Sequence, residues 1–342
     1  MRSRLLYMIA ALALVDVGLL AYSVFRGPYP GVVPLGDPTA YRSIYIHVPI
    51  AVTSYILFAT AMVLAATYLK TGRDLEGVAH SFILVGLAYS MATLTTGSIW
   101  ASESWGSPWN WDPRESGVLL MFAAYTVYLV VRYSIKDPAK RSRVSMAYAI
   151  LAFTTVPVSF ALPYLAPSLH PVTSDTASFL EGRAALLFGA RMLVVVVASF
   201  LLALAVSRRV ELWKALAVPL VAGLAIAGYG SASYMGGETG VVVNATMQDG
   251  VLEATVFHGG MEECITYRGP SPIEPAVLEL PDGSLQPSII GHTILYKGGS
   301  GGSCRAVEEL RVLNHWGVYV NILLYIILVY GGTLLLSKRL GG

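Results

Sequence analysis

Long apolar stretches almost free of charge are the feature that most limits how this chain can fold. A helix needs about 20 mainly apolar residues to cross the hydrocarbon layer of a membrane. About eight such stretches run along the 342 residues: roughly 5–25, 46–69, 78–99, 117–134, 145–165, 184–206, 213–233 and 313–336. Charged residues make up 13% of the chain, against roughly 25% in soluble domains, and this balance argues against a water-soluble enzyme. A hydrophobic content of 55% excludes disorder. The formal net charge of +2 offers no basic footprint for nucleic acid. The expected fold is an all-α polytopic membrane protein with about eight transmembrane helices. Its first stretch follows Arg2 and Arg4, yet no clear cleavage site precedes Phe25-Arg26-Gly27-Pro28, so it reads as a retained anchor.

Lys and Arg fall unevenly between the connections, which sets an orientation. One set of loops carries Arg2 and Arg4, Lys70 and Arg73, Lys136, Lys140, Arg141 and Arg143, Arg208, Arg209 and Lys214, and finally Lys338 and Arg339. The opposite short loops hold few: Arg26, Arg42, Arg114 and Arg183. Both termini are therefore expected in the cytoplasm, and segments 26–45, 100–116, 166–183 and 234–312 on the outer side of the cytoplasmic membrane. The last of these changes character: alternating β-type runs at 241–246 and 251–257 flank Gln248-Asp249-Gly250, a hairpin signal. Further runs at 276–280, around Ser288-Ile289-Ile290 and at 292–296 complete the expectation of a small extracytoplasmic β-rich domain between helices 7 and 8. Cys264 and Cys304 both fall in it, where a disulfide persists.

Chemistry concentrates in Trp100-Ala-Ser-Glu-Ser-Trp105-Gly106-Ser-Pro-Trp109-Asn-Trp111-Asp112-Pro113-Arg114-Glu115. A lone tryptophan there would be an interfacial anchor. Four of the chain's six within twelve residues, interleaved with Gly, Pro, Asp, Arg and Glu, make instead a flat apolar platform with N–H donors at its edges. His47 and His170 fall in the outer segments on either side. Imidazole is an axial ligand of heme iron, so two imidazoles and an aromatic cradle describe a bis-histidine site for heme b. His80 belongs near the opposite helix mouth, His258 and His292 in the β-rich segment, and His315 is a reserve ligand. Arg114 and Arg183 are candidate partners for the propionates. Asp16 and Arg191 lie inside spans, where charges are costly. They form either a buried pair with each other, or a pocket in which Arg191 meets a propionate.

These residues resemble a known family. Trp105-Gly106-x-x-Trp109-x-Trp111-Asp112 fits the WGxxWxWD signature of the heme-handling WWD proteins of cytochrome c maturation. Tyr45-Ile46-His47-Val48-Pro49, and Val156-Pro157 followed by Ser168-Leu169-His170-Pro171, resemble the two histidine segments of its CcmC branch. The resemblance covers a six-helix core at 1–210. It leaves a seventh transmembrane helix at 211–233, the β-rich domain at 234–312, and an eighth helix with a cytoplasmic tail at 313–342, loosely similar to the small CcmD subunit. It implies that His47 and His170 are the metal ligands and that the loop 105–112, with Trp105, Gly106, Trp109, Trp111 and Asp112, holds the cofactor, to which the residues' own reading adds Trp100, Arg114, Arg183 and Arg191. It also implies a heme carrier rather than an enzyme, with a CcmE-type heme chaperone or apocytochrome c as partner, beside other maturation subunits and an ATPase. The run Asp112-Pro113-Arg114-Glu115 is more similar to the CcsA-type synthases, so a heme-attaching lyase acting on a CxxCH apocytochrome is the alternative. A bis-histidine electron-transfer cytochrome is a third reading.

Overall fold

A computed structural model describes residues 2–26, 40–170, 182–207, 237–258, 261–273, 276–279, 285–299 and 303–312. The stretches expected to span at 213–233 and 313–336, and His315, lie outside the described residues. What is described is mostly helical, with five helices long and apolar enough to cross a membrane and a β-rich region toward the C-terminus. The protein is a membrane protein.

Helix α1 covers Arg2–Arg26, and a short 3-10 turn at Ala40–Ser43 leads into α2, Ile44–Thr71. Gly72 caps α2 in the left-handed region (φ 70°), and the chain returns as α3, Glu76–Trp105. At ~1.5 Å per residue α3 is about 45 Å long, well beyond the ~30 Å hydrocarbon layer. The sequence places residues 100–105 in a connection. The structure instead keeps them helical, because no proline or glycine interrupts α3 between Gly97 and Gly106. Helix α4, Pro113–Ser134, and α5, Pro138–Phe153, each open on an aspartate N-cap followed by proline, an arrangement that suits the first helical turn. Helix α6, Thr155–Leu165, continues α5 after a break at Thr154. Pro157 lacks the N–H that the Phe153 carbonyl would accept, so the ladder is interrupted there. Helix α7 covers Gly182–Ser207.

Polar contacts inside the bundle fix which helix ends lie together. At one end Arg132 pairs with Glu76 and His80 Nδ1 lies 3.0 Å from the Tyr128 hydroxyl. At the other end gather His47, Trp105, Asp112 and His170. Between them Phe58 stacks on Tyr125 with centroids 3.6 Å apart.

The two intramembrane charges meet. Arg191 and Asp16 are completely buried and form an ion pair. Arg191 Nε also donates to the Tyr45 carbonyl (3.1 Å). That carbonyl is open because its helical partner four residues on is Pro49, which has no N–H. One guanidinium therefore neutralises a carboxylate on α1 and closes a gap in the backbone ladder of α2, two residues before His47.

The β-rich region is a closed barrel. Strands β1 (Glu238–Gln248), β2 (Val251–His258) and β3 (Met261–Arg268) form an antiparallel meander. The β1–β2 turn places Asp249 and Gly250 at φ 50° and 73°, the conformation expected of an Asp-Gly hairpin. Strands β4 (Val277–Glu279) and β5 (Leu285–Pro287) form a separate small ribbon. The strand expected around Ser288-Ile289-Ile290 is a turn instead, since Pro287 cannot donate to extend the ladder. Strand β6 (Thr293–Lys297) pairs antiparallel with β1. Strands β7 (Arg305–Val307) and β8 (Glu309–Val312) are separated by Glu308 alone. The first pairs parallel with β3 and the second antiparallel with β6, so one kinked strand joins the two edges of the sheet. This is a five-stranded barrel of the OB type, filled by Val242, Leu252, Val256, Ile265, Ile294 and Tyr296. Cys264 and Cys304 form a disulfide (Cα–Cα 4.6 Å) that ties β3 to the start of β7.

Replacing one member of the Asp16–Arg191 pair strands a buried charge. Arg191→Leu is expected to destabilise the protein by about 3–5 kcal/mol, and the double variant Asp16→Leu/Arg191→Leu to recover much of that loss. Fluorescence-monitored unfolding in detergent measures both.

Candidate functional site

The site is built around the first turn of α4. Asp112 is its N-cap, and Glu115 reaches back to the backbone N–H of Asp112 (3.3 Å) and of Asn110 (2.9 Å), forming a capping box. This closes residues 106–112 into a tight loop. Ser107 Oγ donates to the Trp109 carbonyl, and Asn110 Nδ2 to the Ser107 carbonyl. Trp111 sits at φ 54°, a left-handed conformation costly for a bulky residue, and is 73% exposed. Its ring meets Trp109 edge-on, centroids 5.7 Å apart. The loop thus holds one large indole out from the surface at the expense of backbone strain.

Asp112 is buried and its carboxylate serves a second segment. Oδ1 accepts from the Arg114 N–H (2.8 Å), Oδ2 from the Leu169 N–H (2.6 Å), and Ser168 Oγ donates to both oxygens. His170 Nδ1 lies 2.8 Å from Oδ1. A carboxylate only accepts, so the imidazole carries its proton on Nδ1 and leaves the Nε2 lone pair available. Burial pushes the Asp112 carboxyl up. The hydrogen bond and field of His170, with the Leu169 and Arg114 N–H groups, outweigh it and hold the group at about 2.

His47, in the first turn of α2, lies 2.9 Å through Nδ1 from Thr96 Oγ1 on α3. The Thr96 hydroxyl commits its proton to the Ala92 carbonyl (2.8 Å), so it accepts from His47. His47 is therefore also an Nδ1–H tautomer with Nε2 available. Gly97 makes room for the ring: a Cβ there would stand 2.8 Å from His47 Cε1. Trp100 packs edge-on against His47 (5.7 Å) and Trp105 against His170 (4.7 Å). Arg114 lies over the Phe160 ring at 4.9 Å, and its guanidinium forms no ion pair among the described residues.

The structure thus brings together His47, Trp100, Trp105, Gly106, Trp109, Trp111, Asp112, Arg114 and His170. Arg191 stands one layer below, engaged with Asp16 and Tyr45, while Arg183 is exposed near the start of α7. Glu115, Thr96, Gly97 and Ser168 escaped the sequence reading. Glu115 had a usable signal, since Asp-Pro-x-Glu before an apolar run is a capping box. The other three had none, because their partners lie 49 to 56 residues away.

The residues present fit heme. Two imidazoles each spend Nδ1 on a fixed oxygen acceptor and so turn Nε2 toward a metal, as iron-ligating histidines require. Indoles flank both rings, and Arg114 supplies a cation that has no carboxylate partner among the described residues.

Comparisons with known proteins agree with this chemistry. Residues 3–170 match the family model described as cytochrome C assembly protein. Among relatives, the cytochrome c biogenesis protein CcsA of Parasynechococcus marenigrum is 38% identical over 66 residues, 19% of this chain and 22% of that protein. Heme exporter protein C of Bradyrhizobium diazoefficiens is 27% identical over 118 residues, 34% and 45% of the two chains. A putative cytochrome c biosynthesis ccmC-like mitochondrial protein of Marchantia polymorpha is 33% identical over 86 residues, 25% and 38%. The matched segments span less than half of each of these relatives. Through residues 3–170 the chain is similar to the cytochrome C assembly protein family.

Proposed function

We propose that this protein binds heme b through His47 and His170 and hands it on for cytochrome c maturation. The observation that carries this reading is the pair of imidazoles held in the same tautomer beside the tryptophan loop. Trp100, Trp105, Trp109 and Trp111 hold the porphyrin faces, Gly106 shapes the loop, and Arg114 and Arg183 meet the propionates. Asp112 acts through His170, orienting it. Arg191 acts through α2, holding the turn that carries His47. The unequal Lys and Arg distribution puts this end of the bundle on the outer side of the membrane and both termini in the cytoplasm. There the heme acceptor is a CcmE-type chaperone or an apocytochrome c, assisted by other maturation subunits and an ATPase. The names of the relatives, a heme exporter and cytochrome c biogenesis proteins, support the same role.

A second reading, covalent attachment of heme to a CxxCH apocytochrome, is favoured by the relatives named CcsA and by the Asp112-Pro113-Arg114-Glu115 run, which resembles that of CcsA-type synthases. The two readings separate when purified protein is given heme and a reduced CxxCH peptide. A carrier leaves the heme extractable, whereas a synthase leaves it bound to the peptide by thioether bonds.

The carrier reading makes two spectroscopic predictions. Wild-type protein loaded with heme in detergent is expected to show a six-coordinate, low-spin Soret spectrum, His47→Ala to weaken binding and change the spin state, and His170→Ala to weaken binding. Spectra identical in all three proteins, or no Soret band in the wild type, overturn the assignment. Asp112→Asn keeps a competent helix cap, since Asn and Asp cap about equally, but no longer demands an Nδ1–H donor from His170. Heme affinity is expected to fall about 10–100-fold, as for other residues that orient a metal-ligating histidine. The heme-free protein is also expected to unfold at a lower temperature, because an Asn amide cannot accept at both positions as the Asp112 carboxylate does.

A further inference from the structure

A third imidazole adjoins Trp105-Gly106. The barrel is docked on the tryptophan loop by its β1 and β2 strands: Thr239 Oγ1 donates to the Gly106 carbonyl, and Gly106, at φ 77°, has no space for a side chain. A Cβ there would lie 2.8 Å from the Phe257 carbonyl and closer still to Gly240 Cα. Phe257 packs with Trp105, whose ring meets that of His170 edge-on, and with Leu169, the residue before His170. The residue that follows Phe257, at the end of β2, is His258.

Thr239 also determines the state of that histidine. His258 Nδ1 hydrogen-bonds the Thr239 carbonyl. A carbonyl only accepts, so the proton sits on Nδ1, and Nε2 keeps its lone pair with no hydrogen-bond partner among the described residues. His258 is partly buried. It therefore repeats the arrangement of His47 and His170: Nδ1–H spent on a fixed oxygen acceptor, Nε2 left open. His80, at the other end of the bundle, differs. It meets the Tyr128 hydroxyl, which both donates and accepts, and that contact leaves its tautomer undetermined.

We propose that His258 is a third iron ligand for heme, replacing His170 as heme moves from the helix bundle toward the barrel. This inference rests on the heme-binding reading above and adds a direction of transfer to it. In the exchange the iron–Nε2 bond to His170 breaks and an iron–Nε2 bond to His258 forms. The iron keeps its oxidation state, and no proton has to leave the incoming ring. The acceptor then receives heme at the barrel seam.

The full-length protein in detergent, titrated with hemin, tests this by absorption and electron paramagnetic resonance. His170→Ala is expected to retain a six-coordinate, low-spin, bis-imidazole spectrum, because His258 takes the open position. His170→Ala/His258→Ala is expected to become five-coordinate and high-spin, and added imidazole to restore the low-spin form, which separates ligand loss from misfolding. If His170→Ala already matches the double variant, or imidazole does not restore the low-spin spectrum, the assignment of His258 fails. If the wild type itself takes up no heme, the heme-binding reading fails with it.

Discussion

The hydrogen bonds of one buried carboxylate, Asp112, hold the site together. As N-cap of α4 it takes an N–H that the helix leaves unsatisfied, and the positive end of the helix dipole favours its charge. The same two oxygens collect Ser168, the Leu169 N–H and His170 from the chain after α6. Nothing else described ties the post-α6 segment so closely to the tryptophan loop. The loop's shape, the start of α4 and the orientation of His170 therefore rise and fall as one unit. The low pKa of Asp112 reflects this: its charge is already compensated by fixed donors.

The other histidine is held by a different device with similar logic. Pro49 opens the ladder of α2 in the turn that carries His47, and Arg191 fills the gap while pairing with Asp16. In a bilayer the freed carbonyl has no water to turn to, so a buried arginine becomes an asset rather than a burden. Three helices converge on that guanidinium, and it anchors α1 and α7 to the base of the site. Arg191 spends Nη1 on Asp16 and Nε on the Tyr45 carbonyl, while its buried Nη2 has no hydrogen-bond partner among the described residues.

Much of this was legible in the sequence. Apolar length announced the spans. The tryptophans and the two histidines marked the site because such residues rarely cluster by chance at one membrane face. The Asp-Gly turn marked the first hairpin, and it formed where expected. What stayed hidden was carried by contacts between distant segments. Thr96 looks like any helix threonine until His47 is placed against it across 49 residues. Asp112 reads as part of a ligand motif, yet its side chain faces the protein. The barrel could not be inferred from strand propensities, since its closure depends on a two-part strand, β7 and β8, with different partners for each half. Likewise α3 runs through Trp105 because helix geometry, rather than hydrophobicity, decides where it stops.

Closure of that barrel also limits how anything outside the membrane can engage it. An open sheet can recruit an extended peptide by main-chain pairing along its edge. Here the kinked β7–β8 strand covers Ile265–Tyr267 of β3 and Ile294–Lys297 of β6, so these stretches of the two edges offer no vacant row of donors and acceptors to an arriving polypeptide. Recognition falls to side chains on the barrel wall and to its rim, where Arg305 bridges Glu238 and Glu263. An unfolded substrate would be met by a surface that reads its side chains while refusing its backbone.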